Sequence, residues 1–333
     1  MTKFSVLDLA PIAEGADARQ ALANSLDLAQ KAESWGYHRY WLAEHHNMPG
    51  IASAATAVVI GHIAGGTKTI KVGAGGVMLP NHAPLIIAEQ FGTLEALYPG
   101  RIELGLGRAP GTDMLTARAL RRDPMLAGDQ FPADLEELES YFRGDSGKIK
   151  AVPGAGQNVP IWLLGSSLFS AQLAARKGLP FAFASHFAPA MLHDAITIYR
   201  ESFRPSEVLS KPYVMLGVNL FAADSDEEAQ LLFTSLLQQF VALRFGTPGK
   251  LQAPVADFSE RIHPSYLAAA EHSLTCSAVG SPSTVEAKLR RIIDATGADE
   301  LILSGHIYDH QARLRSYEIG AELAAKFLPA ECR

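Results

Sequence analysis

Five short stretches of this chain each set small or polar residues directly after a hydrophobic run that reads as a β-strand. They are Glu44-His45-His46, Gly73-Ala74-Gly75-Gly76, Gly105-Leu106-Gly107-Arg108, Gly165-Ser166-Ser167 and Ser185-His186. Functional groups released at the C-terminal ends of successive strands, with helices between them, are how a (β/α)8 barrel assembles an active site. The ordered series restricts the chain to that kind of α/β architecture and points to an enzyme.

The periodicity agrees. Strand-like runs at Phe4–Ala10, Arg39–Ala43, Ile70–Leu79, Arg101–Leu106, Pro160–Leu164, Phe181–Ala184, Tyr213–Ala222 and Glu300–Leu303 alternate with helical patterns. The first helix, over Ala18–Trp35, repeats Leu22, Leu26 and Ala29 on one face and is closed by Gly36. Later helices are expected over Ser53–Ala64, Pro84–Leu97, Pro132–Phe142, Phe169–Lys177, Pro189–Phe203, Glu227–Arg244, Pro282–Ala295 and Gln311–Phe327. Two segments lack a clean period, about 109–130 and 245–279, where prolines and glycines interrupt the pattern. They are read as active-site insertions after strands 4 and 7 of a single TIM-barrel domain spanning 1–333. A doubly wound sheet needs a glycine-rich turn after the first strand, and Pro11-Ile12-Ala13-Glu14-Gly15 is not one.

Composition excludes several partners. A net charge of −6 disfavours nucleic acid and anionic membranes, and no apolar run is long enough to span a bilayer. Cys276 and Cys332 stand far apart, which supports neither a disulfide framework nor a cysteine-rich zinc site. With no signal-peptide pattern at Met1–Ala10, a cytoplasmic protein is expected.

Adjacent strand residues face opposite ways, so His45 and His46 do not share a pocket, and no metal is expected. His45 at a strand end is a candidate catalytic group. The glycines of Gly73–Gly76 either form a bulge or let a planar ring approach the backbone. Arg108 is delivered to the barrel mouth and suits a phosphate, as does the helix start at Ser166-Ser167, although serines also serve there as plain caps.

These residues carry a resemblance to the luciferase-like, flavin-dependent monooxygenase family, in its bacterial single-subunit branch. It runs through Trp41–His46, Val77-Met78-Leu79-Pro80, Gly100-Arg101 and Arg108–Asp113. It continues in Val159–Trp162, Gly178-Leu179-Pro180, Val279–Pro282 and Ile293–Gly297. The resemblance implies FMN, reduced by a separate flavin reductase, reacting with O2 to oxygenate a small organic substrate. It also implies His45 as the catalytic histidine, Gly75 and Gly76 under the isoalloxazine ring with a cis peptide between them, and Arg108, Ser166, Ser167 and Ser170 at the phosphate. A second phosphate arginine further along has no assigned equivalent, although Arg118 and Arg122 lie in the adjacent insertion. A homodimer through the helices after strands 2 and 3 is implied as well. Two alternatives stay open: a deazaflavin-dependent hydride-transfer enzyme and a flavin-binding protein without turnover.

Overall fold

The computed structural model describes residues 2–109, 114–120 and 124–327. In chain order they form β1 (Lys3–Asp8), α1 (Ala18–Ser34), β2 (Arg39–Leu42), α2 (Thr56–Gly66), β3 (Lys71–Met78), α3 (Pro84–Leu97) and β4 (Ile102–Gly107). Next come α4 (Met114–Ala119), α5 (Pro124–Arg143), β5 (Ile161–Gly165), α6 (Leu168–Lys177), β6 (Phe181–Phe183), α7 (Leu192–Glu201), β7 (Val214–Ala222) and α8 (Asp226–Arg244). The chain continues with α9 (Phe258–Arg261), α10 (Pro264–Ser273), β8 (Ser277–Gly280), α11 (Pro282–Thr296), β9 (Glu300–Ser304) and α12 (His310–Ala324).

All strand pairings are parallel. β1 to β7 pair in order and β9 pairs with both β7 and β1, which closes an eight-stranded barrel. β8 is a ninth strand outside that ring. Asn219 of β7 pairs with Ser304 of β9 and with Ser277 of β8, so β8 lies on the opposite edge from β9. It takes up that edge above the point where β6 ends, at Phe183 opposite Leu216.

Strand alternation sorts the core into two shells. Val6, Tyr40, Leu42, Leu163, Phe181, Phe183, Leu216 and Leu303 face the surrounding helices, whereas Leu7, Trp41, Trp162, Ala182, Met215 and Ile302 pack inside the barrel. Trp41 and Trp162 meet edge to face at 5.2 Å, and Tyr213 stacks on Trp162 in the same way at 5.6 Å. Glycine makes room for this pair: a Cβ on Gly73 or Gly75 would fall within 2.9 Å of the Trp41 indole.

Beneath the tryptophans the barrel is closed by charge. Arg39 reaches Glu103 at 2.5 Å and Glu300 at 2.8 Å, while Tyr213 donates to Glu300 at 2.8 Å and Trp41 Nε1 to Glu103 at 2.9 Å. The Arg39 guanidinium also lies 4.6 Å over the Trp162 ring. Each buried charge has its counter-charge, the condition under which such a layer is tolerated. The N-terminal end of the barrel is thus filled with protein, and ligand chemistry is left to the C-terminal end.

Three expectations need correction: the irregularity of 245–279, that of 109–130, and a helix start at Pro132. The segment 245–279 is not irregular throughout, since it contains α9, α10 and β8. The segment 109–130 contains α4 and the first turns of α5, which passes through Pro132 although proline forfeits a helix hydrogen bond. Burial of Phe131, Leu135 and Leu138 on one face of α5 carries the helix across it. Pro110 to Asp113 and Arg122 lie outside the described residues. Among the described residues no helix is long and apolar enough to cross a membrane.

Candidate active site

The first strand-end group divides as alternation requires. Glu44 turns outward and is buried, and its carboxylate accepts from His46 Nε2 at 2.7 Å, His82 Nε2 at 2.9 Å, Asn81 Nδ2 at 3.0 Å and the Met78 amide at 3.1 Å. Burial works to raise its pKa, but the hydrogen bonds from His82, Asn81 and His46 and the His82 charge hold it below the ordinary carboxylate range. Glu44, His46 and His82 bring donor atoms within 4.8 Å of one another, a spacing a metal could use. The bonds from His82, Asn81 and Met78 to Glu44 tie the end of β3 and the chain after it to the loop after β2, His46 adds a bond from within its own loop, and we read the group as a structural clamp.

His45, on the other face, has a buried Nδ1 without a hydrogen-bond partner. Burial lowers its pKa, opposed by Glu44 and assisted by His46. Two further imidazoles are close enough to sense it. His186, two residues beyond a one-residue gap after β6, and His306, two residues after β9, are both half-buried. Burial brings His186 down to about 3, with His306 and His45 adding to the effect. Burial and the Arg313 guanidinium bring His306 to about 4, against the pull of Asp8. Asp8 itself is tied to Arg313 at 2.6 Å and to Tyr40. The mouth therefore carries three histidines that stay uncharged at neutral pH. His186 appears in the strand-end series without an assigned role. His306 follows the last strand in Gly305-His306, a strand-end signal of the same kind and absent from the five stretches above.

Gly75 and Gly76 are joined by a cis peptide, as expected from the resemblance. The β3–β4 register shifts between Gly75 and Val77, so the bulge is present. The Cβ direction of Gly75 is filled by Leu7 and Trp41, and that of Gly76 by the Gly105 carbonyl and Leu164. The glycines are thus required by the protein's own packing, whatever lies over their backbone.

Arg108 and the helix start at Ser166-Ser167 come together. The guanidinium sits 4.2 Å over the ring of Phe169, in the first turn of α6. Ser167 is the N-cap of α6 yet makes no side-chain capping bond, leaving first-turn amides for another acceptor. Arg108, Ser166 and Ser167 are partly exposed, whereas Ser170 is buried with its hydroxyl against Gly165, under the turn rather than at its rim. Arg118, on α4, is exposed. An anion with two or more oxygens fits between a guanidinium and an uncapped helix end.

Residues 2–300 match the family described as luciferase-like monooxygenase. A luciferase-like monooxygenase of Escherichia coli is 55% identical, with 98% of each chain covered. The structure of apo-MsnO8 superposes with a TM-score of 0.91 at 37% identity, covering 99% of this chain and 100% of that one. The oxygenating constituent of 3,6-diketocamphane monooxygenase from Pseudomonas putida, in complex with FMN, has the same fold at a TM-score of 0.76 and 22% identity, covering 99% of each chain.

Proposed function

The chain belongs to the luciferase-like monooxygenase family, a family of flavin-dependent oxidoreductases, and on that premise we propose that it is an FMN-dependent monooxygenase. In this reading a separate reductase delivers reduced FMN, and the enzyme uses it with O2 to oxygenate a small, mainly apolar organic substrate. The observation that carries the reading is the meeting of Arg108 with the uncapped start of α6. That pair suits the phosphate that distinguishes FMN from riboflavin, with Ser166 and Ser167 as further donors and Ser170 as support beneath them. The FMN in the Pseudomonas putida protein of the same fold agrees with the choice of flavin.

Bound reduced FMN supplies the electrons that activate O2. The chain supplies the rest. Gly75 and Gly76 offer backbone to one face of the ring system. His45, whose buried Nδ1 lacks a protein partner, holds or moves a proton at the reacting edge. The tryptophan layer and the Arg39 charge layer fill the barrel from below, so the site opens towards the mouth. The clamp on Glu44 keeps the two flanking loops in place.

The deciding experiment supplies reduced FMN and O2 to the purified protein and follows which organic compounds gain an oxygen atom. Uptake of O2 with a flavin absorbance spectrum supports the reading. A bound deazaflavin with no O2 uptake replaces it with hydride transfer, and flavin binding with no turnover replaces it with a binding role.

A further inference from the structure

His186 is held with unusual precision for a residue beyond the end of a strand. Its ring lies on Gly217 inside the barrel, where any Cβ would overlap Nδ1. Its carbonyl accepts from Asn219 Nδ2 at 2.6 Å, and the same nitrogen reaches Ser277 Oγ at 3.1 Å. The buried Nδ1 has no hydrogen-bond partner. A proton there would be a buried, unmatched donor, the costlier choice, so the proton belongs on Nε2. The edge turned away from Gly217 is then a donor.

His306 has the complementary arrangement. Its Nδ1 lies 2.8 Å from Gln239 Oε1, an oxygen that only accepts, which places the proton on Nδ1 and leaves Nε2 an acceptor. The two charged groups that bear on the His306 ring, Asp8 and Arg313, form an ion pair with each other. His45 bears on both rings. A substrate ammonium or carboxylate would lose its hydration at the rings without gaining a free counter-charge.

We propose that His186 and His306 are substrate-contacting residues that form a donor–acceptor pair, holding an uncharged hydroxyl or amide group of the substrate across the mouth from His45. The assignment rests on the flavin-dependent reading and narrows its substrate class. A hydroxyl or a primary or secondary amide both accepts and donates, which is what the two edges require. Gly217, Asn219 and Gln239 are the positioning residues behind them.

The test uses FMN-loaded protein and four six-carbon probes, 1-hexanol, hexanamide, hexylamine and hexanoate, read by nitrogen-15 NMR of the histidine rings. Hexanol and hexanamide should shift both His186 and His306 and bind at least about tenfold more tightly than the amine or the acid. Gly217→Ala, which displaces the His186 ring without removing it, should weaken hexanamide by about tenfold, the loss of one uncharged hydrogen bond. Gln239→Leu gives an independent readout, because the His306 nitrogen shifts should then show loss of the fixed Nδ1–H form. Equal binding of a charged probe, or no response of the two rings to any probe, overturns the assignment. Failure of the wild-type protein to bind FMN would instead remove the flavin reading, and a spectral titration of FMN separates the two.

Discussion

The guanidinium of Arg108 lies 4.2 Å over the ring of Phe169, so the residue that follows β4 is fixed against the first turn of α6, which follows β5. Two strand ends adjacent in the sheet thereby contribute a cation and a set of uncapped amides to one point on the rim. Charge-assisted hydrogen bonds contribute about 1.5–3 kcal/mol each. Arg108→Ala should therefore weaken FMN by about tenfold to a hundredfold while leaving riboflavin nearly unaffected. Fluorescence titration of both ligands measures this, and equal losses would place the phosphate elsewhere.

Much of this arrangement is legible in the sequence, for a physical reason. The strand-end groups and the closing of α1 at Gly36 depend on neighbours within a few residues, so a linear pattern records them. The charge layer is different. Glu103 and Glu300 read as ordinary acids until β4 and β9 place both against Arg39 of β2. Gly73 reads as an open backbone until Trp41 is seen to occupy its Cβ direction. β8 escaped notice because it has only Ser277–Gly280 and pairs with a single partner, the end of β7. Pro132 marked a helix start by local rules, and only the core contact of Phe131 and Leu135 shows the helix running through it.

His45 and His46 differ in what they touch, and so should their variants. His45→Ala is expected to bind FMN and melt almost normally but to oxygenate at least about a hundredfold more slowly, the usual loss for a positioned acid–base group. His46→Ala removes a hydrogen bond to Glu44, leaving one fewer donor on a buried carboxylate, and should lower the melting temperature more than the rate. Single-turnover kinetics beside thermal melts compare them. Full activity of His45→Ala with saturating reduced FMN rules out its catalytic role.

Assembly is the third expectation. Val58 on α2 is 74% exposed, and Ile86 and Leu97 on α3 are 45% and 62% exposed, on the helices that the resemblance assigns to a homodimer interface. We expect a dimer by light scattering at micromolar concentration and a monomer for Val58→Asp/Leu97→Asp. A monomeric wild-type chain would show that these side chains merely project into solvent.

Acid should destabilise the fold before its carboxylates titrate, because of the histidines at the mouth. An unfolded histidine takes up its proton near pH 6.5, whereas burial and neighbouring positive charge bring His186 to about 3 and His306 to about 4 in the folded chain. Between those limits the unfolded state binds protons that the folded state refuses, so stability rises with pH. The contribution is complete above about pH 6.5 and is lost progressively as the pH falls towards 4. His38, also at about 4 through burial and its neighbours Arg39, Lys3 and Lys71, acts in the same direction from the opposite end of the barrel. Asp8 behaves as a depressed carboxylate: burial opposes its ionisation but Arg313, Ser25, Tyr40 and the Ala10 amide outweigh it, so its share is lost only as the pH falls below the ordinary aspartate value near 3.9. Each fully excluded proton changes the folding equilibrium by at most about tenfold per pH unit. Urea midpoints measured from pH 7 to pH 4.5 should thus fall steeply for the wild type and less steeply for His186→Gln/His306→Gln. Parallel profiles for the two proteins would mean that the rings are already protonated, or freely hydrated, in the folded state.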